Sequence, residues 1–480
     1  MKSNINNLIY SILGVIFNML FPLITYPYIT RTLGVVNLGE YNFYTSTVAY
    51  LALISGFGIS LHGTKEIGRY SNDKSKYSQV FGELLSINVI MVVVVYLIVL
   101  ALMLWGENYH NTKLFFISSI TILTECIGAE FIFVALEKQR FMLIRNVIFK
   151  IISLTCIFIF VRTDTDLIPY AIIMLVSTAG ISVTNIVSYQ KYIKWNSISI
   201  KPQYICLHLA PLLQVFLMNL LINYYGKMDI VVLGNIDSLE SVGYYSTASK
   251  IYALAYTLLA STAIPLLPRV SFYIEQGLTN VYEILIQRCY DIYLLSTNFI
   301  GFALFVYSDE IIVLIAGDTF ALAGLPLKFF AVALIFSSLC NCFIFQIFYP
   351  HNKAKLVLSA QVVGIGVNII LNIILVPFLS YIGAAIAFLV SYIIMFIWMC
   401  VIGRNIIPRF SGVYDALKEV ASIVICSFVV WGLSFTSLYF LIQICLCGCV
   451  YLISCYVLKN KTFLYIAEII MKRIKHNGYD

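Results

Sequence analysis

Long runs of apolar residues, separated by short clusters of charged residues, Gly and Pro, recur along the whole chain. A helix of about 20 apolar residues is long enough to cross the hydrocarbon core of a bilayer. The pattern therefore predicts about fourteen membrane-spanning helices. The predicted spans cover residues 8–29, 42–62, 82–105, 114–136, 147–161, 167–189, 206–226, 244–267, 287–307, 325–348, 356–376, 381–402, 417–434 and 437–458.

Composition excludes a soluble protein of this length. The 480 residues are 61% hydrophobic and 11% charged, whereas soluble domains carry about 25% charged residues. The mean hydropathy of +0.93 shows that the apolar excess is spread over the chain. We expect an all-α polytopic membrane protein with no segment left for a catalytic domain outside the membrane.

Basic residues indicate how the helices are oriented. Most of the 30 Lys and Arg residues fall in loops that share one side of the membrane if the N-terminus is cytoplasmic. Cytoplasmic loops carry such an excess of Lys and Arg, so we expect both termini to be cytoplasmic. Because the basic residues lie in short loops, we expect them to set the membrane topology, and no nucleic-acid partner is expected. Six basic residues fall outside or within the membrane: Arg31, Lys113, Arg162, Lys227, Lys250 and Lys328.

Cysteine and histidine do not form a pattern typical of a metal site. Cys445, Cys447 and Cys449 are two residues apart, and two residues turn a helix by about 200°, so Cys447 should point away from the other two. Since free Cys behaves as a small hydrophobe, we expect the 12 cysteines to pack and not to bind metal. His62 and His208 fall at helix ends, where an interfacial position is favoured over a catalytic one.

The chain repeats a short pattern. Leu33-Gly34 followed by Gly39-Glu40-Tyr41 returns as Leu233-Gly234 followed by Gly243-Tyr244-Tyr245, six spans later. An even number of spans keeps both copies in the same orientation, as in a parallel repeat, although Gly/Tyr-rich loops also resemble one another by chance. We predict an N-terminal lobe over 1–203 (spans one to six), a C-terminal lobe over 204–403 (spans seven to twelve), and two additional spans with a cytoplasmic tail over 404–480.

The same segments resemble a known family. Residues 27–34 (PYITRTLG), continuing to Gly39-Glu40-Tyr41, resemble the first-helix signature of bacterial oligosaccharide flippases. Residues 229–234 (DIVVLG), then 242–246 (VGYYS) and Lys250, resemble their mid-chain signature. The chain is identified as a member of the polysaccharide flippases for O-antigen or capsule repeat units. Their superfamily also contains multidrug exporters and the lipid II flippase.

This resemblance implies transport and not bond chemistry. Such a flippase moves an oligosaccharide linked to undecaprenyl diphosphate from the cytoplasmic to the outer leaflet of the bacterial inner membrane, by alternating access. It implies the lipid-linked oligosaccharide and membrane lipids as partners, together with a polysaccharide polymerase and a chain-length regulator. In agreement, the sequence holds no phosphate-binding loop ending in Gly-Lys-Ser/Thr and no acidic pair for a metal and sugar nucleotide. We expect no enzyme activity.

Three basic residues are candidates for binding the diphosphate. Intramembrane charges are costly and are functional hypotheses by default. Arg31, Lys227 and Lys250 could line a cationic cavity, since an arginine fork suits a phosphate. For Arg31, the alternative is contact with lipid headgroups. For Lys250, it is a structural ion pair with Asp229, which in the cavity interpretation holds the lysines in place.

Two acidic residues fall in the fourth predicted span. Glu130 lies at a depth similar to that of Lys150, which favours a structural ion pair. Glu125 has no partner that is evident from the linear sequence. It is either protonated in the core or a site for a coupling H⁺ or Na⁺; we expect no other cofactor and no metal site.

A rival function within the superfamily is an ion-coupled exporter of cationic drugs. Such an exporter should place acidic residues without basic partners in its cavity, whereas this sequence has Arg31, Lys227 and Lys250 in or beside the membrane. The charges therefore favour the flippase. A purely structural membrane scaffold is disfavoured because it would have little reason to retain them.

Overall fold

The computed structural model describes residues 2–106, 109, 111–199, 202–222, 226–260, 266–408, 413–433, 439–460 and 462–464. Within these ranges the chain is helical and contains no β-strand, as expected for an all-α polytopic membrane protein. The last part of the predicted cytoplasmic tail, residues 465–480, lies outside the described residues.

Seventeen α-helices make up the described part of the chain. They are α1 (Lys2–Gly56), α2 (Ile59–Arg69), α3 (Lys74–Trp105), α4 (Thr112–Gly128), α5 (Phe131–Ala135), α6 (Gln139–Phe160), α7 (Leu167–Tyr192), α8 (Pro202–Ile222), α9 (Met228–Ile236), α10 (Leu239–Ala260), α11 (Leu267–Glu275), α12 (Thr279–Val306), α13 (Ser308–Ala316), α14 (Gly324–Cys342), α15 (Ala354–Ile402), α16 (Val413–Leu433) and α17 (Phe440–Val457). Short 3₁₀ turns occupy Asp164–Asp166, Trp195–Ser197 and Asp318–Ala323, and a π-helical turn, Phe343–Phe348, follows α14.

Ten helical segments of the described chain are long and apolar enough to cross a membrane. Ala354–Ile402 contains two of the predicted spans, and Leu20–Arg69 contains the span over 42–62 together with the second part of the span over 8–29. The predicted spans over 244–267 and 417–434 fall on α10 and α16, which are helical but are not among the ten. The hydropathy pattern thus located the helices, and the prediction of a polytopic all-α membrane protein is confirmed.

The two long segments are bent where consecutive predicted spans meet. In α1, Gly34 has φ 74° and ψ 179°, a conformation that is essentially restricted to glycine. In α15, Ser380 has φ 52° and ψ −138°. Each break changes the direction of the helix without a loop between the two spans.

The chain divides into two compact units. The first comprises Met1–Ser246 with Ile315–Phe320, and the second comprises Thr247–Leu314 with Ala321–Asp480. In the first unit, a core of buried aromatic residues joins α3, α5 and α7 through Phe81, Phe131, Phe133 and Tyr189. These units are defined by contacts alone, and the lobe boundaries at 203 and 403 stay a prediction.

Within the first unit, the two copies of the repeated glycine pattern pack against each other. A Cβ on Gly39 would lie 1.8 Å from the carbonyl oxygen of Leu239, and a Cβ on Gly243 would lie 2.4 Å from that of Val35. Only glycine permits so close an approach of two helix backbones. Each glycine meets the residue four positions before the other, so the contact is reciprocal.

In the second unit, apolar side chains from the π-helical turn and α15 form the core, including Phe343, Phe348, Met395 and Met399. On α17, Cys447 is buried while Cys445 and Cys449 are exposed, which confirms the predicted orientation. All 12 cysteines are free thiols. Among the described residues, no group of three potential ligands is placed to hold a metal ion.

Candidate functional site

A polar cavity of about 390 Å³ lies within the first unit, between the end of α1, α2, α4, α7 and α8. Its polar lining residues are Ser55, Ser60, Asn88, Glu125, Glu130, Thr178, Ser182, Asn185 and Asn219. A second cavity of about 200 Å³ shares Ala52, Glu125 and Thr178 with the first. In the part of the chain that is described, neither lining includes a lysine or an arginine.

Glu125 lies between the two cavities. It is the carboxylate common to both linings, and its side chain is exposed to them. No partner of Glu125 is evident from the linear sequence, but in the structure Glu125 interacts electrostatically with Lys227, at the start of α9. Lys227 comes about one hundred positions later in the chain. Linear spacing therefore could not reveal it.

Glu130 is paired with a buried arginine. The Nη2 of Arg145 donates to Oε1 of Glu130 at 2.8 Å, and its Nη1 donates to Oδ1 of Asn185. Asn185 in turn donates to the carbonyl oxygen of Gly128 at 2.8 Å, which fixes its amide orientation. The side chain of Arg145 is 2% exposed and that of Glu130 is 48% exposed. The arginine thus holds the end of α4 to α6 and α7, while the carboxylate faces the cavity.

The predicted Glu130–Lys150 ion pair is therefore wrong. Arg145 and Lys150 are five residues apart on α6, which places them about 140° apart around the helix. Arg145 faces the cavity side, whereas the Lys150 ammonium lies 5.5 Å from the ring centroid of Phe21 on α1. Arg145 itself is buried, unlike a basic residue in a surface loop.

Asp229 is buried in the first turn of α9 and accepts a hydrogen bond of 2.5 Å from the hydroxyl of Tyr245 on α10. The carboxylate thereby ties α9 to α10 in the first unit. Tyr245 belongs to the repeated Gly-Tyr pattern, and its hydroxyl holds this carboxylate.

Arg31 lies on α1, four residues after Pro27 and three before the bend at Gly34. Its Nη1 donates to the carbonyl oxygen of Pro27 at 2.8 Å and to that of Ile315 at 3.1 Å. The latter is close to the C-terminus of α13, where a cation is favoured by the helix dipole. The side chain is exposed, which leaves the guanidinium open to a further anionic group.

Lys250 lies on α10 in the second unit and is half-buried. Arg31, Lys227 and Asp229 belong to the first unit. The assembly of the three basic residues around one substrate stays a prediction.

The structure brings together three further polar residues whose contact the sequence did not predict. Nε2 of His62 and Nδ1 of His208 are 3.0 Å apart, and Nε2 of His208 lies 3.1 Å from Oε2 of Glu83. This chain of hydrogen bonds links α2, α8 and α3. His62 and Glu83 are buried, so the histidines stabilise helix packing and are not placed in open interfacial positions.

The charges around the cavity are balanced. Glu130 forms an ion pair with Arg145, and Lys227 lies within electrostatic range of Glu125. The cation-exporter hypothesis requires acidic residues without basic partners. The two carboxylates of this cavity lie near basic residues instead. The paired charges and neutral amides can instead exchange hydrogen bonds with a polar solute.

Two family models match the chain. The model of the family described as polysaccharide biosynthesis protein matches residues 5–273, and the model of the lipid II flippase MurJ matches residues 208–450. The first covers more than half of the 480 residues and includes both copies of the repeated pattern.

Relatives and solved structures agree with these matches. The chain is 23% identical over 391 residues to a putative O-antigen transporter of Escherichia coli (strain K12), covering 81% of this chain and 94% of the relative. A structure of the lipid II flippase MurJ in an inward closed conformation superposes with a TM-score of 0.78 at 19% identity, over 94% of this chain and 98% of MurJ.

An inward-facing multidrug resistance transporter of the MATE family superposes with a TM-score of 0.60 at 15% identity, over 80% of this chain and 94% of the transporter. The fold is thus more similar to that of the flippase. These relatives are transporters and flippases, so the prediction that the chain is not an enzyme is confirmed. The chain belongs to the polysaccharide biosynthesis protein family, within the superfamily that also includes the lipid II flippase and the multidrug exporters.

Proposed function

We propose that this protein is a flippase for lipid-linked oligosaccharides. It carries repeat units linked to undecaprenyl diphosphate from the cytoplasmic to the outer leaflet of the bacterial inner membrane, for O-antigen or capsule synthesis. The observation that carries the proposal is the match of the polysaccharide biosynthesis family over residues 5–273. The similarity to an O-antigen transporter over most of both chains supports it.

The distribution of basic residues supports an orientation with both termini in the cytoplasm. Lys65, Arg69, Lys74 and Lys76 are clustered around the turn between α2 and α3. Such clusters favour the cytoplasmic side. Arg31, by contrast, lies near the opposite end of its span, where it is available to a substrate reaching the outer leaflet.

The diphosphate is the part of the substrate that most needs protein contacts. An anionic group crossing a low-dielectric interior must exchange water for other charges or donors. Arg31, Lys227 and Lys250 supply positive charge for it, while the neutral amides Asn88 and Asn219 offer hydrogen bonds to sugar hydroxyls. The lipid tail stays in the bilayer throughout.

Glu125 is the site for a coupling H⁺ or Na⁺. It lies at the junction of two cavities and interacts with Lys227. Binding of a cation at Glu125 would weaken its hold on Lys227 and release the lysine toward the diphosphate. Ion binding and substrate binding would thereby be linked through a single pair of side chains.

The repeat units delivered to the outer leaflet would pass to a polysaccharide polymerase, whose product length is set by a chain-length regulator. Both partners follow from the function of the family. Co-purification of either protein with this chain in mild detergent would support the assembly.

The decisive test is the leaflet distribution of the lipid-linked repeat unit in depleted cells. A membrane-impermeant probe of the sugar is applied to intact spheroplasts and to opened membranes. We expect the lipid to accumulate only on the cytoplasmic side and to return to the outer side on re-expression. An unchanged distribution together with accumulation of cationic dyes would overturn the proposal and favour the drug exporter.

A further inference from the structure

An apolar groove of about 430 Å³ runs along the surface of the first unit between α6 and α7. It is separate from the polar cavity, and its walls include Phe149, Ile152, Phe160, Ile172 and Val176. The polar groups in its lining are two serines and the thiol of Cys156. No charged residue lines it in the described part of the chain.

The walls of this groove face outward. Val176 is 53% exposed and Phe160 is 60% exposed. Both belong to helices that are apolar and long enough to span the membrane. In a bilayer such a concave apolar surface is filled by hydrocarbon, because leaving it empty forfeits dispersion contacts along its whole length.

The length of the groove matches one leaflet. Phe149 and Phe160 lie on α6 eleven positions apart, which corresponds to about 16 Å of helix. Half of the hydrocarbon core of a bilayer is about 15 Å thick. The groove therefore suits an acyl chain anchored in the adjacent leaflet and is too short for a fully extended polyprenyl chain.

Charged residues follow directly at one end of the groove. Arg162 is two residues beyond Phe160, and it is exposed, with its Nε bonded to the carbonyl oxygen of Ile159. Asp164 is exposed as well, whereas the carboxylate of Asp166 accepts three hydrogen bonds from Arg162 and Thr163. One guanidinium and one carboxylate therefore face solvent on a loop held by Asp166.

We propose that the α6–α7 groove is a binding site for one acyl chain of a zwitterionic aminophospholipid. Arg162 contacts its phosphate and Asp164 contacts its ammonium group. Opposite charges side by side on the loop match a headgroup that itself carries both charges, better than they match a purely anionic lipid. The site does not depend on the proposed transport function and is tested by binding alone.

The test uses the full-length protein in nanodiscs that contain phosphatidylethanolamine with a photoreactive group on the acyl chain. After irradiation, the cross-linked peptides are mapped by mass spectrometry. We expect cross-links concentrated on the facing walls of α6 and α7. Val176→Trp should fill the groove and reduce these cross-links about tenfold, as expected when the apolar contacts of about two methylene groups are lost. Val183→Trp is the matched control, since Val183 is 56% exposed on the same helix but lies outside the groove.

Two further variants test which lipid headgroup the loop binds. Arg162→Ala and Asp164→Asn should each weaken labelling by phosphatidylethanolamine, and unlabelled phosphatidylethanolamine should compete better than phosphatidylglycerol. Uniform labelling of all lipid-facing helices, or an equal effect of the two Trp variants, would overturn the site. Stronger competition by phosphatidylglycerol or undecaprenyl phosphate would overturn the choice of lipid. Cross-linking of the groove to a helix of another protein chain would also contradict the choice of a lipid.

Discussion

The Nδ2 of Asn42 donates a hydrogen bond of 2.8 Å to the hydroxyl oxygen of Ser246, 204 residues later in the chain. The same interval separates Gly39 from Gly243 and Val35 from Leu239, whose backbones meet in the reciprocal contact of α1 and α10. Asn42 and Ser246 thus occupy equivalent positions in the repeat and are bonded to each other. The contact is in keeping with the parallel repeat, which stays a prediction, as does the alternative of a chance similarity.

Because the contact leaves no room for a side chain, Gly39→Ala should destabilise the protein. We expect a loss of about 1 to 3 kcal/mol, as for other overpacked sites, measured as a lower midpoint of thermal unfolding in detergent. Gly68→Ala is the control, since a Cβ at this helical position would meet nothing within 4 Å. Equal midpoints for both variants would show that α1 and α10 do not approach this closely.

Arg145→Met should destabilise the first unit because it leaves Glu130 and Asn185 without their charged donor. Hydrogen bonds to charged groups contribute about 1.5 to 3 kcal/mol each, so we expect a loss of about 2 kcal/mol or more. Lys150→Met on the same helix should have a small effect. If Lys150→Met lowered the midpoint of thermal unfolding more than Arg145→Met did, the Glu130–Lys150 ion pair would be supported instead.

Glu125→Gln should abolish the dependence of transport on the proton or sodium gradient while the protein still folds. The amide keeps the shape of the side chain but cannot carry the charge that a coupling ion neutralises. The measurement is the rate of lipid-linked oligosaccharide transport in vesicles with and without each gradient. An unchanged rate with unchanged gradient dependence removes the coupling role.

The interaction between Glu125 and Lys227 can be measured by a double-mutant cycle. Groups that interact give non-additive effects, typically about 0.5 to 3 kcal/mol. We expect Glu125→Gln and Lys227→Met together to cost less unfolding free energy than the sum of the two single variants. Additive effects would mean that the pair is too distant to interact.

Arg31→Ala and Lys250→Ala should each abolish polysaccharide export while leaving the protein in the membrane. Both remove positive charge needed by the diphosphate, and Arg31→Ala also removes the hydrogen bond to Ile315. Lys113→Ala, at the exposed start of α4, is the control and should export normally. Full export by Arg31→Ala and Lys250→Ala would exclude the cationic site.

Hydropathy located the helices well because lipid exposure demands apolar residues wherever a helix crosses the membrane. It did not predict that α1 and α15 each join two spans without a loop, because hydropathy does not distinguish a bend at a single residue, Gly34 or Ser380, from a loop. The glycine pattern, by contrast, was visible in the sequence and marked a true contact between helices.

The partners of the charged residues could not be predicted in the same way. The partner of a charged residue depends on where its side chain points around the helix and on its depth along it. Arg145 and Lys150 are five residues apart on α6, and it is Arg145 that pairs with Glu130. Glu125 and Lys227, or His62 and His208, lie far apart in the chain. Their contacts depend on how α8 and α9 pack against the earlier helices, which no local pattern encodes.

The reciprocal glycine contact has the form of a symmetric interface. A contact in which each of two segments presents the same kind of surface to the other is isologous, as between identical subunits about a twofold axis. Gly39 and Gly243 therefore lie at one shared crossing, and a side chain added at either position acts on both helices at once.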